Sequence, residues 1–204
     1  MGIDSVSFGA KYIDFSFVKK YDKASKKFLP SRVSFVKLEA GNKDDIDALD
    51  FAEKKWAKAD FMPKIATAGH WMENNPIEIY ALTCQADNFE KLRGKDILAF
   101  AEIRNDDTFP NGKQLHYLQV RPNAQNVNSK QNKYKHVGKK TVLFLQKIYD
   151  EIYLFSKSDE NIKSFYESCG FKEDFCGTDH FRWRADIFTR AKSYLRKLFR
   201  GKEN

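Results

Sequence analysis

The sequence predicts an α/β (α+β) fold, and three observations carry that prediction. Segments of two-residue apolar periodicity alternate with segments of helical periodicity in the order β-α-α-β-β-β-α-β-α-β-β. The segment "EIYLFS" (151–156) is apolar on both faces, as a strand buried in mid-sheet should be. No internal repeat and no linker long enough to split the chain interrupts the pattern. A length of 204 residues, 42% of them hydrophobic and 15% aromatic, suits one compact domain. Its 18 Phe and 9 Tyr can fill a core without help from metals or disulfides.

The elements follow in order. The first thirty residues alternate weakly ("VSFGAKYIDFSFVKKY") and predict an N-terminal extension, an extra strand or hairpin (1–30). "RVSFVKLEA" (32–40) alternates Val33, Phe35 and Lys37 against Ser34, Val36 and Leu38, like a half-buried strand. Asn42 is placed to cap a helix whose Ile46, Leu49, Phe51/Ala52 and Trp56 share one stripe. A second short helix is expected over "MPKIATAGHWMENN". "PIEIYALTC" and "DILAFAEIR" read as strands around a polar turn, and "KQLHYLQVRP" as a strand ended by Pro122. The polar segment 123–133 reads as a loop, followed by a helix over 138–150. After strand 151–156 come a helix over 159–169 and strands at "GFKED" and "HFRWRADIF". The C-terminal segment 186–204 is a basic amphipathic helix by its pattern: Phe188, Ala191, Tyr194/Leu195 and Leu198 oppose Arg and Lys.

Composition narrows the function. Cys84, Cys169 and Cys176 are odd in number and form no Cys-x-x-Cys pair, so they read as free thiols in a reducing compartment. Cys169, Cys176 and His180 lack a fourth ligand and a recognised metal spacing, so no metal is expected. Cys169 has no His in a recognisable context and reads as small apolar filler rather than a nucleophile. No apolar run approaches a membrane span and no basic-apolar-small leader opens the chain. "MGIDSV" has Val6 where myristoylation wants Ser or Thr. A cytoplasmic protein is the expectation. The net charge of +8 favours anionic partners such as nucleotide cofactors, acidic protein faces or RNA.

The stretch "KYKHVGKKTVLFLQ" (133–146) looks like a phosphate loop but is no P-loop. Lys133 stands where the first Gly of that motif belongs, and Lys140 where the Mg²⁺-holding hydroxyl belongs. Further on, "SDENIKSFYESCGFKED" (158–174) reads as a helix capped by Ser158 or Asp159 and ended at Gly170 in the left-handed conformation, with Phe171 folding back near Tyr166.

Taken together, "LQVRP" (118–122), "KYKHVG" (133–138) and "NIKSFYESCGF" (161–171) resemble, in order and spacing, the GCN5-related N-acetyltransferase (GNAT) family. The family patterns are L-x-V-x-P, R/Q-x-x-G-x-G/A and N-x-x-x-x-x-Y-x-x-x-G-F; Tyr166, Gly170 and Phe171 fall at the pattern's offsets, while Asn161 stands one residue nearer to the Tyr than the pattern has it. The resemblance spans about residues 32–184 and is weakest before 97. It implies a mixed, mostly antiparallel sheet flanked by helices and splayed between the fourth and fifth core strands. It implies an acetyltransferase domain over 31–185 that moves an acetyl group from acetyl-CoA to a primary amine by direct attack, with no metal.

The implied roles are specific. Lys133, Lys135, His136, Val137, Gly138, Lys139 and Lys140 would form the diphosphate loop, where amides opening a helix bind an anion without Mg²⁺. Leu118 and Val120 would pair with the pantetheine arm and the acetyl carbonyl. Asn161 would help hold the pantetheine portion. Tyr166 is the candidate acid for the departing thiolate. The base is open between His116 and Glu102, since Gln114 occupies the position of the family's common strand glutamate. His136 and Lys133 depart from the loop pattern.

Three readings stand. The first is the N-acetyltransferase. The second is a non-catalytic acetyl-CoA-binding module. The third is an RNA-directed basic protein, which merges with the first if the acceptor is an aminoacyl-tRNA or a ribosomal protein. The acceptor pocket of such folds would fall on 56–75, where Trp56, Phe61, His70, Trp71 and Met72 suggest aromatic walls and Glu73 an attraction for a cationic amine. A homodimer is compatible with all three.

Overall fold

The computed structural model describes residues 9–39, 41–56, 77–105, 113–124, 133–156, 159–174, 179–186 and 189. Nine strands and three α-helices are assigned among them: β1 (Lys11–Asp22), β2 (Lys27–Lys37), α1 (Lys43–Lys55), β3 (Glu78–Thr83), β4 (Ile97–Asn105), β5 (Lys113–Val120), β6 (Tyr134–Lys135), α2 (Val137–Ile148), β7 (Glu151–Phe155), α3 (Glu160–Glu167), β8 (Lys172–Glu173) and β9 (His180–Arg184). The strand order is β6-β1-β2-β3-β4-β5-β7-β9-β8. The sheet is mixed: β5 and β7 run parallel, while β1–β2, β1–β6, β2–β3, β3–β4, β7–β9 and β8–β9 run antiparallel. This is the mixed, mostly antiparallel α/β sheet expected from the sequence. The expected helix over 62–75, most of 186–204, and residues Phe61, His70, Trp71, Met72, Glu73 and Cys176 lie outside the described residues.

The chain divides into two compact units, one of residues 1–104 and 116–141 and the other of 105–115 and 142–204. In the first, β1 and β2 form a long hairpin from Lys11↔Lys37 to Asp22↔Lys27, with a bulge between Tyr12 and Asp14. Its core lies beneath α1. Val36, Leu38, Ile79, Ala81 and Phe100 of the strands meet Ala48, Leu49, Ala52 and Trp56 of the helix segment. The helix begins where expected: Asn42 Oδ1 accepts the Asp45 amide at 3.0 Å. Trp56, which the sequence places both on the helical stripe and among the aromatic wall candidates, follows the first reading. It is 2% exposed and packs 5.5 Å from Phe100, so it belongs to the core rather than to a pocket wall. Residues 33–36 also differ from a half-buried strand, since both faces are covered. On the face opposite Val36, Phe35 stacks on Tyr80 at 5.3 Å.

In the second unit, β7 pairs with β5 on one side and β9 on the other, which is why Ile152, Tyr153 and Leu154 are all buried. Helix α3 starts on Asp159, whose side chain accepts the Asn161 amide at 2.8 Å. It ends at Gly170, with φ +86, where only glycine is unstrained. The Phe171 amide reaches back to the Tyr166 carbonyl at 3.2 Å, and the two rings meet edge to face at 5.7 Å.

Candidate active site

The loop before α2 is the most elaborated part of the first unit. Tyr134 and Lys135 form β6, a two-residue strand laid on β1 through Lys20↔Tyr134 and Lys19↔Lys135. The Tyr21 amide donates to the Lys133 carbonyl at 2.8 Å and extends that seam. The Tyr134 side chain turns inward, where it is buried and hydrogen-bonds Cys84. Burial raises its phenol to about 12, so it is a neutral anchor at any physiological pH. Lys135 Nζ stands 4.3 Å above the Phe28 ring and Lys133 Nζ 5.8 Å from the Tyr134 ring.

The chain then turns at His136, whose φ is +65. This left-handed conformation is the one a glycine adopts cheaply, and His tolerates it better than a branched residue does. His136 thus takes a backbone shape that glycine adopts without strain. Gly138, by contrast, sits within the first turn of α2 and has no positive φ.

Helix α2 opens directly on this turn. The Lys140 amide bonds the His136 carbonyl at 3.0 Å, and Thr141 Oγ1 donates to the Val137 carbonyl at 3.1 Å. By helix geometry the amides of Val137, Gly138 and Lys139 have no carbonyl four residues back within the helix. They give the opening its partial positive charge. Lysines reinforce it: the imidazole of His136 is held below its ordinary pKa by burial first, and then by the charges of Lys19, Lys135, Lys139 and Lys140. A neutral imidazole, helix amides and four ammonium groups therefore converge on one turn. That donor set fits a diphosphate.

On β5, Leu118 and Val120 are half-buried and lie further along the strand than its parallel pairing with β7. Among the described residues that pairing joins Lys113 to Ile152 and Gln114 to Tyr153, at the very start of β5. The two candidate bases lie near one guanidinium. Glu102 on β4 is 1% exposed, and its Oε1 accepts from Arg104 Nε at 2.5 Å. Its Oε2 has no hydrogen-bond partner among the described residues. Burial pushes its carboxyl up, and the Arg104 pairing only partly offsets that. His116 is lowered to about 4, by burial first and then by Arg104, so it is neutral at physiological pH and a weak base.

In the second unit, Tyr166 lies on α3 between the rings of Phe165 and Phe171, at 5.1 and 5.7 Å. Burial raises its phenol to about 12. Asn161 occupies the first turn of α3 with an exposed side chain. Among the described residues no group of three or more His, Cys, Asp or Glu is placed to hold a metal ion, and no helix is long and apolar enough to cross a membrane. Three contributors escaped sequence reasoning: Lys19, Cys84 and Arg104. Only the alternation of β1 hinted at the first.

No protein-family model and no curated protein matches the sequence. Among solved structures the chain resembles GNAT-family acetyltransferases in fold. One is a protein assigned to the GNAT acetyltransferase family from Desulfovibrio desulfuricans, at 12% identity and TM-score 0.47, covering 74% of this chain and 98% of its own. An acetyltransferase assignment from Exiguobacterium sp. 255-15 gives 12% identity and TM-score 0.46, covering 79% and 97%. A variant of the toxin AtaT, bound to the C-terminus of its antitoxin AtaR and to acetyl-CoA, gives 11% identity and TM-score 0.43, covering 80% and 97%.

Proposed function

We propose that this chain is an acyl-CoA-dependent N-acetyltransferase that moves an acetyl group from acetyl-CoA to a primary amine. The observation that carries the proposal is the left-handed turn at His136, which feeds the amides of α2 into a ring of lysines. A diphosphate flanked by an extended thioester arm suits that site better than a nucleoside triphosphate. The loop lacks both the hydroxyl and the first glycine of a P-loop, and acetyl-CoA needs no Mg²⁺ there.

The residues then take these roles. Lys133, Lys135, Lys139 and Lys140, with the amides from Val137 onward, hold the diphosphate. Leu118 offers backbone groups to the pantetheine arm, with Asn161 holding its distal part. The amine attacks the thioester carbonyl, a C–N bond forms, and the C–S bond breaks to release CoA thiolate. Tyr166 is the residue we assign to the leaving sulfur. Its phenol, near 12, is a weaker acid than a thiol of about 8.5, so complete proton transfer from it is uphill. Its contribution is a hydrogen bond to the developing thiolate, with the proton made up from solvent. The amine's proton leaves through Glu102. Its raised pKa and spare Oε2 make it the stronger base of the two, and its burial calls for a connecting water rather than direct contact. His116, neutral and the weaker base, lies within reach of the Arg104 charge. The setting we assign is the cytoplasm, and the domain that carries the chemistry is 31–185.

The test is a set of thermal melts with millimolar acetyl-CoA, CoA and ATP–Mg²⁺. A ligand at about a hundred times its Kd adds roughly 2.7 kcal/mol, which for a chain of this size raises Tm by about 5–10 °C. Shifts with both CoA species and none with ATP support the proposal. A folded protein that ignores acetyl-CoA overturns it.

A further inference from the structure

The β1–β2 hairpin carries an aromatic surface that the acetyl-transfer chemistry does not use and that meets the proposed diphosphate loop only at its edge, through Lys19 and Lys135. Register places Phe15, Phe17, Lys19 and Tyr21 on one face of β1, opposite Ser34, Arg32, Pro30 and Phe28 of β2. Lys135 of β6 joins this face as the partner of Lys19. The face is solvent-exposed: Phe15 is 44%, Phe17 52% and Tyr21 37% accessible. Aromatic rings and cations interleave on it. The Arg32 guanidinium lies 4.6 Å over the Phe15 ring and Lys135 Nζ 4.3 Å over Phe28. Phe15 and Phe17 meet edge to face at 6.1 Å, and Tyr21 and Phe28 at 5.3 Å.

We propose that this hairpin face binds single-stranded nucleic acid, with bases stacking on Phe15, Phe17 and Tyr21 and phosphates meeting Arg32, Lys19 and Lys135. Rings supply sequence-tolerant stacking surfaces, and a guanidinium laid on a ring is a charged plane on which a base also stacks. Complementarity of charge selects the partner. The charged groups of the face, read across the three strands, are Lys19, Arg32 and Lys135, beside the Tyr21 hydroxyl, so a polyanion is favoured. A second copy of the chain would set those cations against themselves. Pairing through the rim of β1 is also blunted, by the bulge between Tyr12 and Asp14 and by Lys11, Lys19 and Lys20.

The experiment measures fluorescence anisotropy of a labelled 12-nucleotide oligouridine with the full chain, between 50 and 200 mM KCl. Three phosphate contacts predict a log–log salt slope of about −2, less steep by roughly 0.7 in Arg32→Gln. The double variant Phe15→Ala/Phe17→Ala should weaken binding at least about ten-fold while leaving Tm nearly unchanged, because both rings are exposed. Lys172→Gln, which removes the same charge from β8, should bind like the parent. Absence of oligouridine binding would overturn the proposal, and so would affinity indifferent to the two phenylalanines. Binding of phosphatidylserine vesicles but not of RNA would assign the face to a membrane instead, and a dimer dispersed by the double variant would assign it to self-association. Acetyl-CoA melts on the same variants keep this question separate from catalysis.

Discussion

Replacing His136 by glycine and by isoleucine separates the backbone of the loop from its side chain. At φ +65 an L-residue carries roughly 1–2 kcal/mol of strain, with His toward the lower end. His136→Gly removes that strain and returns about 0.5–1 kcal/mol of it by loosening the unfolded chain, so stability should stay within about 1 kcal/mol of the parent. The imidazole lost is neutral, because burial and four lysines hold its pKa down, so the charge of the site is unaltered at neutral pH. His136→Ile faces a conformation that branched side chains resist. If the turn holds, the chain loses a further 1–2 kcal/mol or so of stability, about 2–8 °C in Tm. If the turn relaxes, the α2 amides swing off the ligand and the same energy appears as a roughly 5–30-fold loss of CoA affinity. Calorimetric titration with CoA, paired with urea unfolding, captures both accounts together. Equal affinity and equal stability for parent, glycine and isoleucine forms would refute the idea that this left-handed residue shapes the site.

Three other outcomes are expected. Tyr166→Phe keeps the ring contacts with Phe165 and Phe171 and deletes only the hydroxyl, so thiol-release assays should show kcat down about 10–100-fold with KM little changed; an unchanged kcat would remove Tyr166 from the chemistry. Asp45 is fully buried, with Oδ2 on the Glu39 amide at 2.8 Å, and burial raises it from 3.8 to about 6. Because the folded form holds the proton more tightly, this group favours folding fully below pH 3.8, and the benefit is lost as pH climbs through 6. The gap is worth about 3 kcal/mol, so Asp45→Asn should flatten that part of the stability–pH curve in urea melts. Gly94→Ala would put a methyl group 2.6 Å from Phe51 Cβ and 2.9 Å from the Ala48 carbonyl, lowering stability by about 2 kcal/mol, roughly 4–8 °C in a thermal melt.

Local chemistry made much of this legible. The Asn42 cap, the Asp159 cap and the Gly170 terminus with its Tyr166–Phe171 contact are written within a few residues of themselves, and the structure places each accordingly. The mid-sheet position of β7 was legible for the same reason: both its faces are apolar. What stayed hidden depends on distant partners. Two residues have no periodicity, so β6 could not be seen, and the strand that creates it lies at the other end of the chain. β1 was blurred because Phe15, Phe17 and Tyr21 put aromatics on its solvent side. Trp56 read equally well as core or pocket wall, since burial is not a property of one residue's neighbours in sequence. The candidate bases could be named but not ranked until Arg104 appeared between Glu102 and His116 as a shared neighbour.

The two-residue seam between β6 and β1 ties ligand recognition to the history of the chain's assembly. Lys19 and Lys135 are more than a hundred residues apart, so closing that contact costs a large loop entropy that only prior long-range structure can offset. The anion-binding turn would then be among the last features to mature. A partly folded chain, however helical, would not sense the ligand, and CoA would act as a checkpoint that rewards only the finished molecule.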